Sequence, residues 1–209
     1  MLKNVREMIS KRQIDRLWVV GSNNDTAPII DASLRRLLVI LEKHFASASY
    51  LLSKRPSSSD FALYGQLSQL VNFDPTPREI CHEVSLRTVA WVGLIEDQSG
   101  IEVTDEQWGS IESLPSTVKD LLIEIGNGYV PAQLANAKAI ENGDKEWETE
   151  IDNCLWKQKS FPYQAKCLKW VNEEYSALEE NDRKKVNNLL DGTGSVSYTH
   201  LTLPTIDPV

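Results

Sequence analysis

Ser57, Ser58, Ser59 and Asp60 stand directly in front of the apolar run that begins at Phe61. Two kinds of chemistry use these residue types at this spacing: a serine nucleophile with an acid partner, and the cap of a helix. A nucleophile needs a base, and the histidines are few: His44, His82 and His200. No GxSxG elbow and no SxxK motif is present. Leu63, Leu67, Leu70 and Val71 recur at helical spacing, so Ser57 falls at the N-cap and Asp60 three residues on. That is a capping box, in which the serine serves a first-turn amide and the acid returns a bond to the serine amide. A second box is expected in "DPTPREI", with Thr76 as the cap, Pro77 at the first helical position and Glu79 closing it.

The other reactive residues have equally plain readings. Cys81 and His82 are adjacent, and neighbours on a helix point about 100° apart, which rules against a thiolate pair. No set of His, Cys and carboxylates has zinc spacing, so no metal is expected. "GSNND" and "DGTG" follow no strand and lack the setting of a phosphate loop. Arg12 and Arg16 share a helix face and could hold a carboxylate, or serve as ordinary surface charges. Glu146, Glu148 and Glu150 form an acidic ladder on one face of a strand, either solvated or facing a basic partner. Trp147, Trp156 and Trp170, with Phe161 and Tyr163, could line a pocket or simply pack a core.

Positioning these residues falls to a mainly helical chain. The 209 residues are long enough for a substantial core. A net charge of −8 gives no general attraction to nucleic acid or to an anionic membrane. The three cysteines form no CxxC and no paired framework, as expected of reduced thiols in the cytoplasm. No signal peptide and no run of transmembrane length is visible.

Helical periodicity runs from Leu2 towards Leu17, again from Pro28 through Phe45, and through the capped run after Ser57. It continues in one helix carrying Ile80, Val84, Thr88, Trp91 and Ile95, then from Pro115 onward. A short helix opened by Thr104 and Gln107 is expected in the polar break. Pro131 lies inside a helical pattern and predicts a kink or a break near Asn127 to Val130. Trp147, Thr149 and Ile151 alternate with glutamates, and Asp152-Asn153 makes a turn, so a small β-hairpin is expected near residues 146–158. Helices follow through Leu178 and up to Leu190. Residues 195–209, "SVSYTHLTLPTIDPV", break in composition from everything before them and resemble a translated adapter or cloning tail. The expected division is a helical domain over 1–194 and a non-native tail over 195–209.

"LLSKRPSSSDFALYGQLSQL" resembles the helical C-terminal domain of the glutathione transferase superfamily. In that family a leucine and a basic-Pro turn precede Ser-x-x-Asp-Phe at the start of a core helix. Ser57 and Asp60 match the family's capping box, and Phe61, Leu63 and Leu67 match its core positions. "RTVAWVGLIED" is similar to the next family helix, with Trp91 at a recurrent tryptophan. The family proline shortly before it is absent, and Leu86 stands near its place. "GYVPAQLANA" and "FPYQAKCLKW" resemble the C-terminal extension of a poorly characterised bacterial branch.

The resemblance implies an all-α glutathione transferase C-terminal-like bundle with the small hairpin. It implies glutathione as co-substrate, a small electrophile as second substrate, and a homodimer. The family activates the thiol in a thioredoxin-like domain of alternating strands and helices, which this sequence does not contain. The chain is therefore expected to be a C-terminal fragment, inactive alone and without tight affinity for glutathione. No catalytic residue carries over. The family's pocket is lined partly by this domain, which makes Met8, Arg12 and Trp18, and then Tyr129, Trp156 and Tyr163, candidate pocket residues. The alternative is a stand-alone, non-catalytic helical interaction module.

Overall fold

A computed structural model describes residues 2–196. The expected tail therefore lies outside the described residues from 197 onward. The chain is mainly helical with one two-stranded antiparallel sheet. In order it forms α1 (Leu2–Ile14), a 3-10 turn (Leu17–Val20), α2 (Ala27–His44), α3 (Ser58–Asn72), α4 (Pro75–Val84) and α5 (Leu86–Glu96). Two short 3-10 turns precede α6 (Ser116–Glu124), and a π turn (Ile125–Tyr129) leads into α7 (Val130–Asn142). Then come β1 (Glu146–Ile151), β2 (Cys154–Lys159), α8 (Pro162–Ala177) and α9 (Glu180–Leu190).

The chain divides into two compact units. Among the described residues one comprises 33–124 and 179–194; the other comprises 2–32, 125–178 and 195–196.

The first of these is organised around a buried cluster of Leu38, Leu41, Leu67, Val71, Ile80, Trp91, Val92 and Ile95 with their neighbours. Trp91 stacks on Phe45 at 4.7 Å, and its indole N–H donates to the Ser49 carbonyl at 3.0 Å. An indole held by both face and edge is fixed in place. His44 is fully buried and fully used. Its Nε2 lies 3.0 Å from the Tyr50 carbonyl, which can only accept, and its Nδ1 lies 2.7 Å from the Thr117 hydroxyl.

Ser57 is the N-cap of α3, and the capping box is formed. Asp60 is completely buried. Its Oδ2 accepts from the Ser57 amide at 2.9 Å and from the Ser57 hydroxyl at 2.6 Å; its Oδ1 accepts from the Leu51 amide at 2.8 Å. The cap thus closes the turn that runs from Leu51 to the helix. Because Asp60 points inward, Phe61, one residue on, is turned outward and is exposed, unlike the core position the resemblance gives it.

Two expectations need correction. The helix after Asp74 starts at Pro75, with Asp74 at the N-cap, so Thr76 lies inside the first turn and does not cap, and Glu79 closes no box with it. The earlier start suits both prolines: Pro75 and Pro77 occupy first-turn positions whose N–H groups have no helical partner. The single helix expected through Ile80 and Ile95 is broken at Ser85, which ends α4 and caps α5 by accepting from the Thr88 amide at 3.2 Å. Ser85 also donates to Glu42 at 2.9 Å, so a residue 43 positions away holds the break.

The second unit packs Ala137, Ala165 and Leu168 together with Leu134 and Ile140. The kink expected before Pro131 is the π turn. Its wider turn lets the chain enter α7 with proline in the first turn, where no amide is needed.

Candidate binding face around the hairpin

Asp152 and Asn153 both have positive φ, 50° and 59°, the two-residue turn that matches strand twist. The register pairs Trp147 with Gln158, Thr149 with Trp156 and Ile151 with Cys154. Alternation then sorts the side chains. Trp147 and Ile151 are buried, and Trp156 and Gln158 are half-buried. Glu146, Glu148, Glu150, Leu155, Lys157 and Lys159 are exposed. The acidic ladder is matched across the strands, since Glu146 faces Lys159 and Glu148 faces Lys157. The diagonal pair Glu146–Lys157 closes to 3.2 Å.

The 3-10 turn of Leu17–Val20 is bonded to β2. The Gln158 amide donates to the Val19 carbonyl at 2.5 Å, and the Trp156 indole N–H donates back to Gln158 at 3.2 Å. Gly21 ends the turn with φ of 71° against the Trp156 ring, where an added Cβ would sit 2.6 Å from the indole. Only glycine fits both the conformation and the space.

This arrangement leaves Trp18 46% exposed. Phe161 stacks nearly parallel to it at 6.2 Å, and the Lys159 ammonium lies 4.4 Å from its ring centre. A depression of about 590 Å³ opens at the base of the hairpin, lined by Asp144, Lys145, Glu146 and Lys159. A half-exposed indole with an ammonium against its ring suits a planar ligand that is electron-poor or carries negative charge.

Of the candidate pocket residues, the structure joins Trp18 and Trp156 through Gly21, Val19 and Gln158. The others stand apart from this cluster. Met8 is 65% exposed on α1, and Arg12 is exposed on the same helix. Tyr129 is exposed in the π turn. Tyr163 is exposed and meets Trp170 edge-on at 6.2 Å. Trp147, buried against the helices, and Trp170, exposed on α8, do not share a pocket with them. Gly21, Gln158 and Lys159 complete the cluster and were missed from sequence. Their only signal was the glycine that ends "LWVV" and the alternation of β2.

The reactive groups are otherwise occupied. The Cys81 thiol is fully buried, and burial pushes its pKa up, away from the nucleophilic thiolate. His82 beside it is exposed. Among the described residues no group of three or more His, Cys, Asp or Glu is placed to hold a metal ion, and no helix is long and apolar enough to cross a membrane. Comparison of the chain with family models, curated proteins and solved structures returned no match.

Proposed function

We propose that these residues form the helical domain of a glutathione transferase-like protein, with the thiol-activating group supplied by another domain. The observation that carries this reading is the Ser57–Asp60 box. The resemblance places it after a leucine and a basic-Pro turn, and here Asp60 bonds Ser57 on one side and Leu51 on the other. In this reading a planar electrophile packs on the exposed half of Trp18, and Lys159 places positive charge beside it. A glutathione thiolate from the activating domain attacks the electrophile and forms a C–S bond as the electrophile's leaving group departs with its bonding pair, chloride in the case of 1-chloro-2,4-dinitrobenzene.

The test is to express the gene's complete reading frame and assay glutathione conjugation to 1-chloro-2,4-dinitrobenzene. Trp18→Ala should raise KM for the electrophile severalfold and leave KM for glutathione unchanged. Absence of thiol transfer by the complete product overturns the reading. A second reading, a helical interaction module without catalysis, is favoured by one observation: every residue from 3 to 18 is exposed, including a run of large apolar side chains.

A further inference from the structure

Helix α1 is the least covered element of the described chain. Val5, Met8, Ile9 and Ile14 on it are 42–65% exposed. Its ion pairs, Lys3–Glu7 at 4.0 Å within the helix and Lys11–Asp15 at 2.7 Å across its C-terminal end, are solvent-exposed. Such pairs contribute only about 0.2–0.5 kcal/mol each, and less with lysine on the N-terminal side. Thirteen residues without a packed face are marginal as a helix in water. The apolar side chains of α1 therefore need a cover.

The charge of α1 says what kind. Residues 1–16 carry five cations, Lys3, Arg6, Lys11, Arg12 and Arg16, against two carboxylates, Glu7 and Asp15; the remaining sequence carries seventeen against twenty-eight. Both carboxylates are taken by lysines. Val5, Ile9 and Arg12 follow one another at i, i+4 and i+7, so they form one stripe with Met8 at its edge, and Arg16 follows in the turn just past the helix end. Among the described residues no carboxylate lies in ion-pair range of Arg12 or Arg16.

We propose that α1 docks an acidic amphipathic helix of a partner protein. Apolar side chains of the partner cover Val5, Met8 and Ile9, and its carboxylates meet Arg12 and Arg16. The mixed stripe decides against a lipid surface. A bilayer-bound helix keeps its cations on the polar face, whereas here burying Val5 and Ile9 carries Arg12 along. A helix with carboxylates opposite the two arginines satisfies both halves of the stripe. This inference is independent of the transferase reading and assigns Met8 and Arg12 to a protein contact rather than to an electrophile pocket.

The experiment is selection of 16-residue peptides from a displayed random library on the whole chain, and on its Arg12→Glu/Arg16→Glu variant. Both altered residues are exposed, so the variant should keep the thermal midpoint of the parent. The expected peptides are net negative with apolar residues at i, i+3 and i+4. A synthetic representative should bind the variant at least about tenfold more weakly, and its affinity for the parent should fall as salt rises. Selected peptides without net negative charge, or affinity unchanged in the variant, overturn the proposal. So does failure to select any peptide while the chain sediments with phosphatidylserine vesicles, which assigns α1 to a membrane.

Discussion

Trp91 and Trp18 show two uses of one residue type. Trp91 is 4% exposed, stacked on Phe45 at 4.7 Å, with its N–H bonded to the Ser49 carbonyl. Trp18 is half-exposed, with one ring neighbour at 6.2 Å and an ammonium over its face. The first indole belongs to a filled core; the second is held beside the 3-10 turn and β2 and left half in water. The same division separates the capped, interbonded helices of residues 33–124 from the α1 and hairpin elements. In the first group the polar side chains of His44, Asp60, Ser85 and Trp91 are satisfied within the chain, which favours stability. In the second, apolar and cationic groups are held in place but left uncovered, which favours recognition.

The largest expected effect sharpens this contrast directly. Trp91→Ala should cost about 3–5 kcal/mol in denaturant unfolding, as removal of a buried aromatic does. Trp18→Ala should cost about 1 kcal/mol or less, since the ring is half in water already. Equal costs would break the comparison.

Next is Asp60→Ala. It strands the buried Leu51 amide and unties Ser57, so a loss of about 2–4 kcal/mol is expected from an orphaned donor together with a lost cap. A cost below about 1 kcal/mol would mean the box does not hold the turn.

A smaller effect concerns acid. The Arg87 amide, with the Ser85 hydroxyl and the Arg87 guanidinium, holds the Glu42 carboxyl below the usual carboxylate range, against partial desolvation. A carboxylate with a depressed folded pKa contributes stability above its unfolded pKa. That contribution is lost as pH falls through the folded value. Thermal midpoints measured from pH 6 down to pH 3 should therefore fall less steeply for Glu42→Gln than for the parent. Parallel curves would show that Glu42 does not anchor the α4–α5 break.

The smallest effect is expected at Leu86→Pro. Leu86 is 64% exposed at the first position of α5, after the non-helical Ser85. Proline is tolerated there, so the change in stability should be within about 1 kcal/mol. A large loss would mean the Leu86 amide has a role the helix start does not reveal.

Much of the architecture was legible because it is local. Ser-x-x-Asp before an apolar run specified the α3 cap, and alternation around Asp152-Asn153 specified the hairpin. What escaped was decided by distant residues. The apolar period runs through Ser85 without a break, and Glu42, from another helix, joins the local Ser85 cap in holding the interruption. The two prolines around Thr76 allowed two helix starts, and the one that placed both in the first turn prevailed. The candidate face was the least legible part. Trp18 and Trp156 were named separately, but their junction depends on Gln158 reaching Val19 across 139 residues of sequence. No periodicity encodes that contact.

The most direct test is segment-resolved amide hydrogen exchange of the chain alone. The slowest exchange is predicted for residues 60–71 and 88–95, which open only with the core. Residues 5–14, all exposed, should exchange at rates near those of an unstructured chain. Protection of residues 5–14 equal to that of 60–71 would contradict the division between a stabilising core and an uncovered recognition helix.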